Sequence, residues 1–261
     1  MNKGDSMRLI DTHTHLDFPH FKKDRAEVLR RAEKAGVQYI VNVGSNLRSS
    51  IDSIELSKQY QHIYATVGIH PHDAKDLDQG VLEKLAELVK EKKVVAVGEI
   101  GLDYHYEHSP RDIQREAFRK QLQLALAVDL PVVIHSREAE QDTLRILREA
   151  GSSNLRGIMH CFSGSLAMAK NCLALGFFLA FGGVITFNNA VELRNVVKTV
   201  PLERILIETD CPYLTPHPHR GKRNEPAYVK LVAEQIALIK GITLEEVAAI
   251  TSENAGKLYR I

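Results

Sequence analysis

Residues 8–17 read RLIDTHTHLD. An apolar start, Leu9 and Ile10, runs directly into Asp11, His13 and His15, and this junction separates two α/β folds. In an open, doubly wound sheet the turn after the first strand normally carries a glycine-rich phosphate loop. Here that place holds no glycine, only Thr and His in alternation. Side chains two apart on a strand share a face, so His13 and His15 are presented together. A matching junction lies near the other end, in RILIETDCPYLTP (204–216), where Glu208 and Asp210 follow Ile205, Leu206 and Ile207. A buried charge is costly unless it is paired or binds metal, so a cationic partner is expected beside Glu208 and Asp210.

Working outward, eight short apolar runs recur: RLIDTH (8–13), YIVNVG (39–44), IYATVG (63–68), VVAVGE (94–99), PVVIH (131–135), GIMHCF (157–162), FFLAFGG (177–183) and ILIETD (205–210). Each has strand length and is rich in Val, Ile, Phe or Ala. Helical patterns lie between them. DRAEVLRRAEKAG (24–36) spaces Ala26, Leu29, Arg30 and Glu33 as on a helix and stops at Gly36. DIQREAFRKQLQLALAVD (112–129) puts Ile113, Phe118, Leu122 and Ala125 on one stripe. Thr243 and Glu246 form a capping box for a late helix. Eight alternations of apolar strand and helix predict parallel strands covered on both faces. The expected fold is therefore α/β, a single (β/α)8 TIM barrel with extra C-terminal helices, over residues 8–261. Residues 1–7, polar and ending at a second methionine, are expected to be disordered or tag-like.

Composition narrows the function classes. The chain of 261 residues is 44% hydrophobic and 26% charged, ordinary for a globular protein with a sizeable core. A net charge of +1 gives no global positive field, so any nucleic-acid contact must use a local patch. Three cysteines without framework spacing suit a reduced, cytoplasmic setting. No apolar run approaches the roughly 18 residues of a membrane helix.

The chemistry gathers where the strands stop. The first ends in Asp11, His13 and His15, the third runs into His70, and the fourth ends in Glu99. The fifth ends in His135, the sixth in His160, and the eighth in Glu208 and Asp210. In a barrel these C-terminal ends share one rim, the usual place of the active site. His135 has the parity of Val133, and Glu99 that of Val95 and Val97, so the polar residues would cap an apolar interior. Four imidazoles and two carboxylates exceed the needs of one tetrahedral ion and suit two. The expected grouping has Glu99 bridging, His13, His15 and Asp210 around one ion, and His135 and His160 around the other. Imidazole with carboxylate favours a transition metal or zinc over calcium. Blander roles remain open: a salt bridge from Glu99 to Arg137, or a helix cap for Asp210 near Pro212.

At this point the motifs resemble those of the TatD-type metal-dependent deoxyribonucleases, a branch of the amidohydrolase-like TIM-barrel hydrolases. The stretches are LIDTHTHLD (9–17), GIHPH (68–72), GEIGLDY (98–104), PVVIHSREAEQD (131–142), HCFSG (160–164), LIETDCPYLTP (206–216), RNEP (223–226) and NAGKLY (254–259). The resemblance implies a TIM barrel, two divalent ions per chain (Mg, Mn or Zn) and hydrolysis of nucleic-acid phosphodiesters, of the 3′–5′ exonuclease type on DNA. It carries the metal-ligand positions onto His13, His15, Glu99, His135, His160 and Asp210. Cys211 departs from the small residue usual after ETD; it is expected to pack, with a further soft contact to the metal site as the alternative. The REAEQD segment is more acidic than the resemblance leads one to expect, which could tune substrate choice.

Roles follow as expectations. Divalent ions lower the pKa of water from about 15.7 toward 7 and so supply hydroxide at neutral pH. Asp210 would orient or deprotonate that water, with Glu99 as the second catalytic carboxylate. Glu208 would accept an N–H from a ligand histidine and fix its tautomer, or alternatively form an ion pair inside the rim. His70 would contact phosphate or protonate the leaving group. Arg137 would grip a phosphate or brace Glu99. Asp103 and Tyr104 would shape the pocket or stack a base, with packing the blander role for Tyr104, and His72 has no assigned role. The loop PHPHRGKRNEP (216–226) carries Arg220, Lys222 and Arg223, a basic patch expected to bind phosphate. The expected partner is DNA, with RNA open, and no membrane or obligate protein partner. The competing functions are an ester or amide hydrolase on the same rim, such as an aminoacyl-tRNA deacylase, and a non-catalytic binding protein.

Overall fold

Eight parallel strands pair in sequence order: β1 (Leu9–Thr14), β2 (Val37–Val43), β3 (Ile63–Val67), β4 (Val94–Asp103), β5 (Val132–Arg137), β6 (Gly157–Met159), β7 (Phe178–Phe181) and β8 (Ile205–Ile207). They come from a computed structural model that describes residues 8–151 and 154–261, so the expectation for residues 1–7 lies outside the described residues. The ring is nearly closed. β1 and β8 meet through a bridge between Thr14 and Cys211, where Asp210 N donates to His13 O and His15 N to Cys211 O, each at 2.9 Å. Asp11 ties the same seam. Its carboxylate is fully buried and accepts from Thr209 N at 2.9 Å and Thr209 Oγ1 at 2.6 Å.

The apolar residues divide into two layers, as a barrel requires. Ile10, Val41, Val43, Val95, Val133, Ile158, Ala180 and Leu206 form an inner cluster. A larger outer cluster packs the opposite strand faces against the helices. Among the described residues seven helices alternate with the strands: α1 (Arg25–Lys34), α2 (Leu47–Gln59), α3 (Gln79–Leu88), α4 (Arg111–Ala127), α5 (Glu140–Ala150), α6 (Leu166–Ala174) and α7 (Val191–Thr199). Two more, α8 (Val229–Lys240) and α9 (Leu244–Tyr259), follow β8. α9 starts with the predicted capping box, Glu246 N donating to Thr243 Oγ1 and Thr243 N to Glu246 Oε2. Its Ala255, Leu258 and Tyr259 join the inner cluster beside Tyr64 and Phe178 from the strand starts. The last helix thus plugs the end of the barrel away from the polar rim.

Several sequence expectations shift by a residue or a face. α1 buries Val28, Leu29 and Ala32, whereas Ala26, Arg30 and Glu33 are exposed. β6 and β8 stop at Met159 and Ile207, so His160, Glu208 and Asp210 lie just beyond the strands. Val97 belongs to the outer cluster, unlike Val95, because pairing of β3 with β4 slips register between Val94 and Ala96, and a second slip, in the pairing of β4 with β5, follows between Val97 and Ile100. Simple alternation therefore does not carry Glu99 to the mouth. The slips do. β1 has a similar break between Asp11 and Thr14, which brings His13 to the mouth although Ile10 faces the interior.

Candidate metal centre

Each candidate residue reaches the mouth from a different strand end, and glycines make the crowding possible. In β4, GEIG brackets Glu99 with Gly98 and Gly101. A Cβ at Gly101, whose φ is +135°, would collide with the His135 carbonyl oxygen. A Cβ on Gly98 would meet the Val133 side chain. The two glycines let β4 lie close against β5, which sets Glu99 beside His135. Asp210 takes a left-handed φ of +57°, a region that Asp tolerates better than most residues. It leaves β8 by that turn, so Glu208 and Asp210 diverge instead of sharing a strand face. No helix begins at Asp210, which removes the capping role.

The histidine tautomers follow from their outer partners. His15 Nδ1 lies 3.1 Å from Val43 O, a carbonyl that can only accept, so Nδ1 carries the proton and Nε2 presents a lone pair. His160 Nδ1 lies 2.8 Å from Glu208 Oε1, which leaves its Nε2 facing Glu99 Oε1 at 3.6 Å. Glu208 is fully buried and accepts from Cys161 N at 2.7 Å. This carboxylate–imidazole contact is the arrangement that orients metal-binding histidines. His13 Nε2 stands 3.2 Å from His15 Nε2, 3.5 Å from Glu99 Oε2 and 3.8 Å from Asp210 Oδ1, and His15 Nε2 is 3.5 Å from the same Asp210 oxygen. Two nitrogens bound to one tetrahedral zinc at about 2.0–2.1 Å would lie about 3.3 Å apart. The donor set therefore fits a divalent ion, and the facing nitrogens repel without a cation or a proton between them.

Glu99 sits at the centre and divides the cluster. Oε2 faces His13, while Oε1 faces His135 Nδ1 at 3.0 Å and both His70 Nε2 and His160 Nε2 at 3.6 Å. Burial opposes its ionisation, but the surrounding imidazoles outweigh burial and hold its carboxyl well below the usual range. Asp210 is lowered for the same reason, burial being overcome by His15, His160 and His13. Burial disfavours the His160 imidazolium, yet Glu208 and Glu99 outweigh it and push its pKa up to about 10. Groups of ligand atoms close enough to hold an ion include His13, His15 and Glu99; His13, His160 and Asp210; and His70, Glu99 and His135. His160 thus stands with the first cluster as well as beside Glu99 Oε1.

A cavity of about 810 Å³ opens above these residues. His15, His70, Glu99, His135, Arg137, His160 and Asp210 all line it. Asp103, expected above only to shape the pocket or stack a base, is an organiser: its Oδ2 takes His135 Nε2 at 2.9 Å and His72 Nε2 at 3.1 Å. The extended run of β4 could have revealed it, since Asp103 lies two and four residues beyond Gly101 and Glu99. Arg137 does not brace Glu99; its guanidinium stacks over Tyr106, 4.8 Å from the ring centre. His70 Nδ1 accepts from His72 N at 3.1 Å, so Nε2 carries the ring proton. Burial, with His135 and His72 close by, lowers the His70 pKa to about 3 against the pull of Glu99, keeping the ring neutral.

The 216–226 loop differs from expectation. Arg223 makes a two-pronged pair with Asp24 at 2.9 and 2.6 Å and donates to His20 O. Arg220 donates to Thr215 O and lies over Phe187. Neither lines the cavity; the arginine and lysine that do are Arg137 and Lys75, the latter from the loop after β3. The acids of REAEQD are also engaged elsewhere: Glu138 by His105, Glu140 by Ser165, and Asp142 by Tyr104 and Arg145. Tyr104 is thereby held outside the main cavity. Cys211 is buried in the outer cluster, as a packing residue should be.

Comparison with known proteins supplies the family. The profile described as TatD related DNase matches residues 10–260. The chain is 51% identical over 253 residues to YabD of Bacillus subtilis (strain 168), named an uncharacterized metal-dependent hydrolase, covering 97% of this chain and 99% of that protein. It is 35% identical to the 3′-5′ ssDNA/RNA exonuclease TatD of Salmonella typhimurium, covering 97% and 99% respectively. The crystal structure of YJJV, a TatD homologue from Escherichia coli K12, superposes with a TM-score of 0.93 at 33% identity, over 98% of this chain and 99% of that one. A barrel rim built from these residues and a family match along almost its whole length lead to one conclusion: the chain belongs to the TatD-related DNase family of metal-dependent hydrolases.

Proposed function

We propose that this metal-dependent hydrolase is a deoxyribonuclease that trims single-stranded DNA from the 3′ end with two divalent ions, Mg, Mn or Zn. The observation that carries the two-ion reading is the division of Glu99, one oxygen toward His13 and the other toward His135, His70 and His160. His13, His15 and Asp210 would hold one ion, His135 and His160 the other, and Glu99 both. When bound, the ions supply hydroxide at neutral pH and offset charge developing on the phosphoryl oxygens. The chain's own groups do the rest. Asp210, held ionised by its histidine neighbours, accepts the proton of the attacking water at its carboxylate. Neutral His70 donates from Nε2–H to a phosphoryl oxygen, a role that its low pKa favours over protonating the leaving group as an imidazolium. Glu208 holds His160 in the tautomer that frees Nε2. Arg137 and Lys75 neutralise the backbone of the strand. Support for the substrate comes from the Salmonella typhimurium relative named as an exonuclease and from these two cations at the mouth.

The test uses a 5′-labelled single-stranded DNA with chelator-stripped protein, restored with Mg, Mn or Zn. Wild type should give a ladder shortening from the 3′ end, and Asp210→Asn should be slower by at least about 100-fold. An uncut strand under every ion, from protein shown to bind those ions, would refute the nuclease and direct the search to ester and amide substrates.

A further inference from the structure

Six large apolar side chains stand exposed among the described residues, and the two aromatic ones, Tyr106 (52%) and Tyr213 (50%), both line the mouth of the metal cavity. Half-exposed rings do little for a core. Their placement follows from topology. Tyr106 comes from the loop after β4 and Tyr213 from the loop after β8. In an eight-stranded ring paired in sequence order, those strands stand opposite each other. The two rings therefore flank the histidine cluster from opposite sides.

Each ring is also held by its neighbours. Tyr213 meets Phe18 edge-on at 6.3 Å, and Phe18 stacks on His15 at 4.7 Å. Tyr106 lies parallel to His108 at 5.6 Å and edge-on to His72 at 5.6 Å, with Arg137 over its ring. Rings fixed in this way lose little freedom when a ligand stacks on them. Every nucleobase has a π-face, so stacking on aromatic side chains grips an unpaired strand whatever its sequence.

We propose that Tyr106 and Tyr213 are base-stacking platforms for the two nucleosides flanking the scissile phosphate, and that they restrict the site to unpaired nucleic acid. This rests on the phosphodiesterase reading above and adds the base-binding subsites. Arg137, stacked on Tyr106, lies where it can pass from the ring to the phosphate beside the base.

The test uses an intact oligonucleotide and two versions with one base missing, at the 3′-terminal or the penultimate nucleoside. Wild type should cleave each abasic strand about 5- to 150-fold less efficiently, chiefly through KM. Tyr106→Ala and Tyr213→Ala should each lose that discrimination at one of the two positions. Tyr106→Phe and Tyr213→Phe should keep it, because the ring and not the hydroxyl does the stacking. Cleavage of intact strand by a wild type indifferent to missing bases would overturn the platforms and leave the nuclease standing. Full discrimination in both alanine variants would do the same. A wild type that cleaves no strand under any ion would overturn both.

Discussion

One carboxylate oxygen, Glu208 Oε1, serves two neighbours at once, the His160 ring and the Cys161 backbone. It is the clearest case of a residue that acts on a candidate ligand without lining the cavity. Glu208→Gln keeps the shape and removes the charge, so the fold should survive while His160 loses its anionic brace. Metal affinity should fall roughly 10- to 100-fold, the usual effect of removing such a partner. Competition with a coloured chelator measures this directly, and an unchanged affinity would reduce Glu208 to a packing residue. At the same scale, Arg223 shows how a promising residue is diverted: Asp24 lies near enough to take both prongs of its guanidinium. The sequence marked Arg223 as basic and near the rim, but its partner lies 199 positions away in the chain.

Elements position the site through register. β4 is the longest strand, carries Glu99 and Asp103, and is threaded past β5 by its glycines. Gly101→Ala combines an unfavourable left-handed φ with a collision against the His135 carbonyl, neither of which a flexible side chain can relieve. This substitution should lower the melting temperature by several degrees or more and weaken metal binding, since β5 must move and His135 moves with it. A variant that melts with wild type and binds metal equally would show that the close approach of β4 and β5 is dispensable. The helices were unevenly legible: of the expected α1 residues only Leu29 is buried, and Ile113 of the α4 stripe is half-buried. The α9 capping box and the buried stripe of Phe118, Leu122 and Ala125 on α4 lie where periodicity put them, because both depend on neighbours within a few residues.

For the whole molecule, the apolar layers and the polar rim are separate sources of stability. The two clusters and the α9 plug do not depend on an ion, whereas the rim concentrates carboxylates and imidazoles away from water. Chelated protein should therefore keep its circular dichroism spectrum but melt lower. A ligand at 100 times its Kd stabilises by about 2.7 kcal/mol, which for a chain of this size is about 5–10 °C. Equal melting with and without added Zn or Mn would mean that the rim binds neither ion. The sequence by itself determined the eight strands, their order, their alternation with helices and the placing of six candidate ligands at strand ends, since apolar runs and strand-end polarity are local patterns. The tertiary structure alone decided the register slips that bring His13 and Glu99 to the mouth and the turn that aims Asp210. It also decided the sharing of Asp103 between His72 and His135, and the choice of Lys75 over Arg220 and Arg223. Those outcomes depend on hydrogen bonds and close contacts between segments far apart in the chain, which no local periodicity records.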